Sequence, residues 1–157
     1  MEILFVCTGN ICRSPMAEGL LRHMLARRSL SGVQIRSAGI HALDGRPAEP
    51  HAVEAARELG ADITGHTARS LDREMVERAD MILVMERGQA ELIARVLPRA
   101  TQKEKLRLLA AGSAESGSPE VDDPYGMSLD AYRTCAHVIR RCLTAVLEQI
   151  EDMGTRP

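Results

Sequence analysis

A thiol and a guanidinium, Cys7 and Arg13, stand six positions apart in the stretch CTGNICRSPMAE at residues 7–18. A loop of this length between a strand end and a helix start can turn successive backbone N–H groups inward. It then forms an anion cradle, reinforced by the positive end of the following helix. Gly9 permits an unusual backbone angle where the turn is tight, and Asn10 tolerates the left-handed conformation that such a nest needs. Arg13 can present its planar fork to two oxygens of a tetrahedral oxyanion. Cys7 lies at the floor of the loop, where the amides, the helix and Arg13 favour thiolate over thiol. Ser14 can hydrogen-bond the sulfur and help it leave.

A thiolate beneath a bound phosphate attacks phosphorus in line and expels the leaving group, while Arg13 and the amides match the equatorial oxygens of the transition state. Water must then hydrolyse the cysteinyl-phosphate. The leaving oxygen needs a proton, and two adjacent acids, Asp122 and Asp123, can supply it. On local sequence alone both stay open, although Pro124 fixes the backbone after Asp123 and Tyr125 can stack on an aromatic substrate.

The elements that must position these groups alternate in type. The spacing predicts a buried strand over Glu2–Cys7, then a helix capped by Ser14 with Pro15 in its first position and an apolar stripe at Met16, Leu20, Leu21, Met24 and Leu25. Further strands are predicted at 33–37, 81–85 and 106–110. Helices are predicted at 50–59, ended by Gly60, at 71–78, at 89–97, ended by Pro98, and at 129–151. The stretch at 111–126 is a long loop rich in Gly, Ser and Pro, a length that often carries function. Alternation of this kind predicts a single α/β domain over residues 1–157, with a four-stranded parallel sheet and helices on both faces. Ligands of such sheets bind beyond the carboxyl ends of the strands, where both Cys7 and the 111–126 loop fall.

With 157 residues the chain is long enough for one proper core. A net charge of −2 gives no electrostatic footprint for nucleic acid. No apolar run approaches the length of a membrane span, and the start, MEILFVCTGN, lacks the features of a secretory signal. The expectation is a cytoplasmic protein without nucleic-acid or membrane partners. In that setting the four cysteines, Cys7, Cys12, Cys135 and Cys142, stay reduced. Cys135 and Cys142 read as core residues of the last helix, about 10 Å apart along it. No CxxC and no zinc-spaced histidine pair occurs, so neither metal nor cofactor is expected.

Together these residues resemble the low-molecular-weight protein-tyrosine phosphatase family over nearly the whole chain. CTGNICRS at 7–14 is similar to the nucleophile loop and DPYG at 123–126 to the acid loop, while SAG at 37–39 and GHTARSL at 65–71 resemble intermediate landmarks. The resemblance implies metal-free hydrolysis of phosphomonoesters on a phosphorylated protein, most simply phosphotyrosine, by a monomer or weak dimer. It makes Cys7 the nucleophile, Arg13 the phosphate clamp and Asp123, directly before proline, the general acid. Asn10, Ser37 and His66 become a network that holds the loop, and Ser14 assists the thiolate. Thr8, Gly9, Asn10, Ile11 and Cys12 line the cradle, with Tyr125 as one wall of the cleft. The opposite wall is often Trp in this family. This chain has no Trp, and Leu43 falls nearest that position.

Other readings keep the same loop. Arginine phosphatases of the family tend to carry Thr at the position of Ile11. An arsenate reductase would need relay cysteines near 81–90, a stretch reading MILVMERGQA. A non-catalytic phosphate-binding module is countered by the intact Cys7, Arg13 and Asp123. Cys12 reads either as packing or as a partner that traps oxidised Cys7 in a disulfide. His66 is assigned to the network, whereas His41, His23, His51 and His137 read as surface or packing residues.

Overall fold

A computed structural model describes residues 1–96, 104–112 and 118–154. Strand β1, Glu2–Cys7, is the centre of the molecule. Its residues alternate between two apolar cores: Ile3, Phe5 and Cys7 face one, and Leu4 and Val6 face the other. A strand covered on both sides has to be apolar throughout, as EILFVC nearly is. Strands β2 (Gln34–Gly39), β3 (Met81–Val84) and β4 (Leu106–Leu108) complete an all-parallel sheet in the order β2-β1-β3-β4. The register pairs Cys7 with Gly39 on one side of β1 and Val6 with Val84 on the other.

Helices cover both faces. On one lie α1 (Arg13–Arg27), α2 (Pro50–Glu58) and α5 (Leu129–Gly154), where Met16, Leu20 and Leu21 of α1 share a core with Ile139 and Leu143 of α5. On the other face α3 (Arg73–Arg78) and α4 (Arg87–Val96) bring Val76 and Ile93 against Leu4, Val6 and Ile82. Cys135 and Cys142 are both buried in the first core. Among the described residues no helix is long and apolar enough to cross a membrane.

Several boundaries differ from the expectation. Ser14 does not cap α1: the helix already includes Arg13, the cap position is Cys12, and no side chain caps it. The Ser14 hydroxyl is drawn instead to the Cys7 sulfur and the Asn10 amide. Strand β2 runs past 37 to Gly39 because β1 extends to Cys7 and keeps it in register. The helix expected from 71 starts at Arg73, since the Asp72 carboxylate accepts from the Met75 N–H and fixes the first turn there. Met85 leaves the β3 ladder to donate its N–H to Gln89 Oε1. That same side chain also accepts from Glu86 N–H, so α4 begins at Arg87 rather than at 89. Leu97 and Pro98, expected to end that helix, lie outside the described residues, as does 113–117 of the long loop. Strand β4 stops at Leu108, and Leu109–Gly112 forms a 3-10 turn. The last helix continues past 151 to Gly154.

Candidate active site

The chain leaving β1 at Cys7 meets the chain leaving β2 at Gly39, and the two segments lock together. Ile40 N–H donates to Cys7 O, His41 N–H to Thr8 O, Leu43 N–H to Gly9 O and Glu49 N–H to Ile11 O, at 2.8–3.1 Å. With its carbonyls taken up from outside, the loop is left with N–H groups to turn toward its centre. Asn10 N–H points at Cys7 Sγ from 3.3 Å. Gly39 is required by this closeness: a Cβ there would stand 2.7 Å from Thr8 O and 3.0 Å from Ala42 Cα.

Asn10 holds the turn. Its φ of 56° is left-handed, and its fully buried side chain uses every polar atom. Nδ2 donates to Ser14 Oγ at 2.9 Å and to Ser37 Oγ at 3.0 Å, and Oδ1 accepts from Arg69 N–H at 2.9 Å. The Asn10 carbonyl lies 2.7 Å from His66 Nε2. Burial lowers the His66 pKa, with the Asn10 carbonyl pulling the other way, so the ring is a neutral donor toward that oxygen. Ser37 in turn donates to the buried Glu18 carboxylate. Asn10, Ser37 and His66 thus lie in one hydrogen-bonded network. Its end at Ser14 reaches the Cys7 sulfur at 2.9 Å.

Arg13 is 1% exposed. Its guanidinium donates to Glu86, to Val121 O at 3.0 Å and to Asp123 Oδ2 at 3.0 Å. Burial works against its charge, but the hydrogen bond it donates to Glu86 and the charges of Asp123 and Cys7 outweigh that and raise its pKa. Arg13 Nε is buried without a hydrogen-bond partner in the protein. A donor of this kind suits an oxyanion oxygen.

Both adjacent acids border a pocket against α5, but of the two Asp123 alone also lines the cleft beside Cys7. Asp123 is held from both ends: Oδ2 on Arg13 and Oδ1 accepting from Tyr125 N–H at 3.2 Å. The cleft has a volume of about 310 Å³, and Ile11, Leu43, Tyr125 and Asp123 stand around Cys7, Thr8, Gly9, Cys12 and Arg13. Leu43 is 39% and Tyr125 55% exposed, so both are open to an entering group, while Ile11 is buried in the wall.

Cys12 sits beneath the loop with its sulfur 3.3 Å from the hydroxyl of Tyr132 on α5. Burial pushes its thiol up to about 12. A thiol kept protonated packs well and attacks a sulfenic acid slowly.

Sequence reasoning missed five residues of the site. Glu86, at the carboxyl end of β3, grips Arg13. Gln89 caps the turn after β3 and donates to Thr8 Oγ1 at 3.3 Å. Glu18, in the second turn of α1, anchors Ser37. Tyr132 meets Cys12. His41, read as a surface or packing residue, lines the cleft. For Glu86 a signal existed: an acid directly after an apolar run, at the sheet edge where Cys7 lies.

A family model described as low molecular weight phosphotyrosine protein phosphatase matches residues 2–155. The chain is 41% identical over 152 residues to a probable low molecular weight protein-tyrosine-phosphatase, EpsP, of Ralstonia nicotianae, covering 97% of each chain. It is 37% identical over 152 residues to a protein-arginine-phosphatase of Bacillus subtilis, covering 96% of this chain and 97% of that one. Among solved structures it resembles a low molecular weight protein tyrosine phosphatase from T. tengcongensis, at 34% identity and a TM-score of 0.86, with 95% of this chain and 99% of that chain covered. A YwlE arginine phosphatase whose active-site serine replaces cysteine and carries phosphate matches at 36% identity and a TM-score of 0.86, over 96% of both chains. The parallel sheet, the loop that wraps Cys7 and the match across the full span agree, and the chain belongs to the low molecular weight phosphotyrosine protein phosphatase family.

Proposed function

We propose that this chain, acting as one domain over residues 1–157, hydrolyses phosphotyrosine on proteins through a cysteinyl-phosphate on Cys7. The observation that carries the reading is the convergence on one sulfur. Asn10 N–H and the Ser14 hydroxyl contact Cys7 Sγ, Arg13 arches from the next turn, and Asp123 stands across the same cleft.

The substrate phosphate settles on the inward N–H groups of the loop and on Arg13, Nε included. The Cys7 sulfur attacks phosphorus, the bond to the tyrosyl oxygen breaks, and protonated Asp123 hands its proton to that oxygen. Asp123 then takes a proton from an attacking water. The S–P bond breaks, phosphate leaves, and Ser14 receives the thiolate with its hydroxyl hydrogen. Without ligand, Asp123 is paired to Arg13. A phosphate that claims the guanidinium releases the Asp123 side chain toward the leaving oxygen. Glu86 keeps Arg13 aimed throughout.

Substrate class follows from the walls. Ile11, Leu43 and Tyr125 offer apolar contact to a ring, and this supports an aryl ester. The guanidinium of phosphoarginine, which the Bacillus relative's name says that protein acts on, would lack partners there, at about 1–3 kcal/mol for unpaired polar groups. Cys7, Cys12 and Cys135 are buried thiols outside any disulfide, which supports a cytoplasmic setting.

The test is a panel of peptides carrying phosphotyrosine, phosphoserine and phosphoarginine, with kcat/KM measured for the wild type, Cys7→Ser and Ile11→Thr. Phosphotyrosine is expected to lead phosphoarginine by about tenfold to a hundredfold, and Ile11→Thr to narrow the gap. Cys7→Ser is expected to bind phosphate without turnover. Residual turnover within about tenfold of wild type would remove Cys7 as nucleophile, and equal efficiency on both substrates would remove the aryl assignment.

A further inference from the structure

Between α1 and the 62–69 segment lies a second and larger cavity of about 620 Å³, which shares no lining residue with the cleft. Pro15, Glu18 and Arg22 of α1 form one wall, and Asp62, His66 and Arg69 stand on the other. Its volume falls in the range of small-molecule sites.

The charges in it are unevenly committed. Glu18 accepts from Ser37 and pairs with Arg22, and Arg22 also donates to Ile35 O at 2.8 Å. Asp62 is occupied by both the N–H and the hydroxyl of Thr64. Arg69 differs. Its backbone N–H serves Asn10, but among the described residues no carboxylate or carbonyl meets its guanidinium, and its Nε is buried without a partner. Among the described residues only two side chains leave such a nitrogen, Arg13 and Arg69. The first lines the catalytic cleft and the second lines this cavity. A half-buried guanidinium whose buried Nε donor is unused gains from an oxyanion.

We infer that this cavity is a second anion site, built for a small organic phosphate or carboxylate held by Arg69, with Arg22 at its rim and Ile63 and Ala68 against the ligand's apolar part. Glu18, His66 and Arg69 frame the cavity and also support Ser37 and Asn10. An occupant therefore touches the props of the phosphate loop without entering the cleft.

The test is a titration of the full-length protein, followed by proton–nitrogen NMR, with inorganic phosphate and separately with citrate. The expected result is a saturable shift of the Arg69 Nε–Hε and Gly65 amide signals, with a Kd distinct from that read at Gly9 in the cleft. Arg69→Gln, which keeps the backbone N–H to Asn10, should weaken the Gly65 response at least tenfold and leave the phosphate response at Gly9. Arg69→Lys, a gentler change that loses the fork, should weaken it less than Arg69→Gln does. Response to phosphate alone would assign the site to phosphate esters, and response to citrate alone to carboxylates; either supports the inference. Movement at Gly9 with Arg69 and Gly65 stationary, or a Gly65 response that survives both substitutions, would overturn it.

Discussion

Replacing Asn10 should show how much of this enzyme's activity is stored in one loop. The side chain makes three buried hydrogen bonds, to Ser14, Ser37 and the Arg69 N–H. Ser14 and Ser37 keep other partners when it is removed, Cys7 and Glu18 respectively, whereas the Arg69 N–H loses the one it has. At about 1 kcal/mol per bond the loss is roughly 3 kcal/mol. A second contribution is conformational. With φ at 56°, alanine at position 10 costs about 1 kcal/mol more, and glycine does not. Asn10→Gly should therefore destabilise the chain by about 3 kcal/mol and Asn10→Ala by about 4 kcal/mol. Urea unfolding gives both values, and the gap between the variants isolates the backbone. If the loop relaxes while the rest stays folded, the same energy moves into the transition state, and kcat/KM on an aryl phosphate falls by roughly a hundredfold or more. Asn10→Ala within about 0.5 kcal/mol of wild type and within about threefold in kcat/KM would refute the argument. An alanine variant more stable than the glycine variant would refute its conformational half.

Three further outcomes are expected. Asp123→Asn should slow hydrolysis most for poor leaving groups such as an unactivated phenol, with a smaller loss for a nitrophenol, and Asp122→Asn should be milder; the reverse order would move the general acid to Asp122. Gly39→Ala forces a Cβ against Thr8 O and should cost about 1–3 kcal/mol, read as a fall of about 2–4 °C in Tm per kcal/mol; an unchanged Tm would show that the two strand exits are not tightly apposed. His66, its pKa lowered by burial, binds fewer protons folded than unfolded, so stability is lost as pH falls through the ordinary histidine range near about 6.5. His66→Gln, which can still donate to the Asn10 carbonyl, should flatten the decline in urea midpoint between about pH 7 and 5, and an identical slope would exclude His66 as its source.

The parts of the fold and site that were legible in the sequence are those specified by short-range chemistry. Strand β1 is apolar on both faces, Gly60 stops α2, and the groups from Cys7 to Ser14 carry their own loop. Boundaries that depend on a partner were not legible. Strand β2 takes its end from β1, and α4 takes its start from the Gln89 side chain folding back on Met85 and Glu86. Ser14 misled for the same reason. Its type and place suited a cap, but the sulfur of Cys7 and the amide of Asn10 compete for the hydroxyl and win. Glu86, Gln89 and Tyr132 stayed hidden because each acts on a residue at least 73 positions away. Asp123 was favoured over Asp122 by the resemblance; that Asp123 alone of the two reaches the cleft and Arg13 is a matter of three-dimensional placement.

The bonds that complete the cleft also carry a timetable. Arg13 is separated from Asp123 by 110 positions and Cys12 from Tyr132 by 120. During synthesis at about 5–20 residues per second, the thiol and the guanidinium are made roughly 5–25 seconds before the groups that answer them. A growing chain at that stage holds the phosphate-gripping half of the site without its proton donor, and the α5 helix that shelters Cys12 does not yet exist. Hydrolytic competence thus arrives with the last stretch of polypeptide: a product cut short before Asp123 lacks both the proton donor and the α5 residues Ile139 and Leu143 that complete the core against α1.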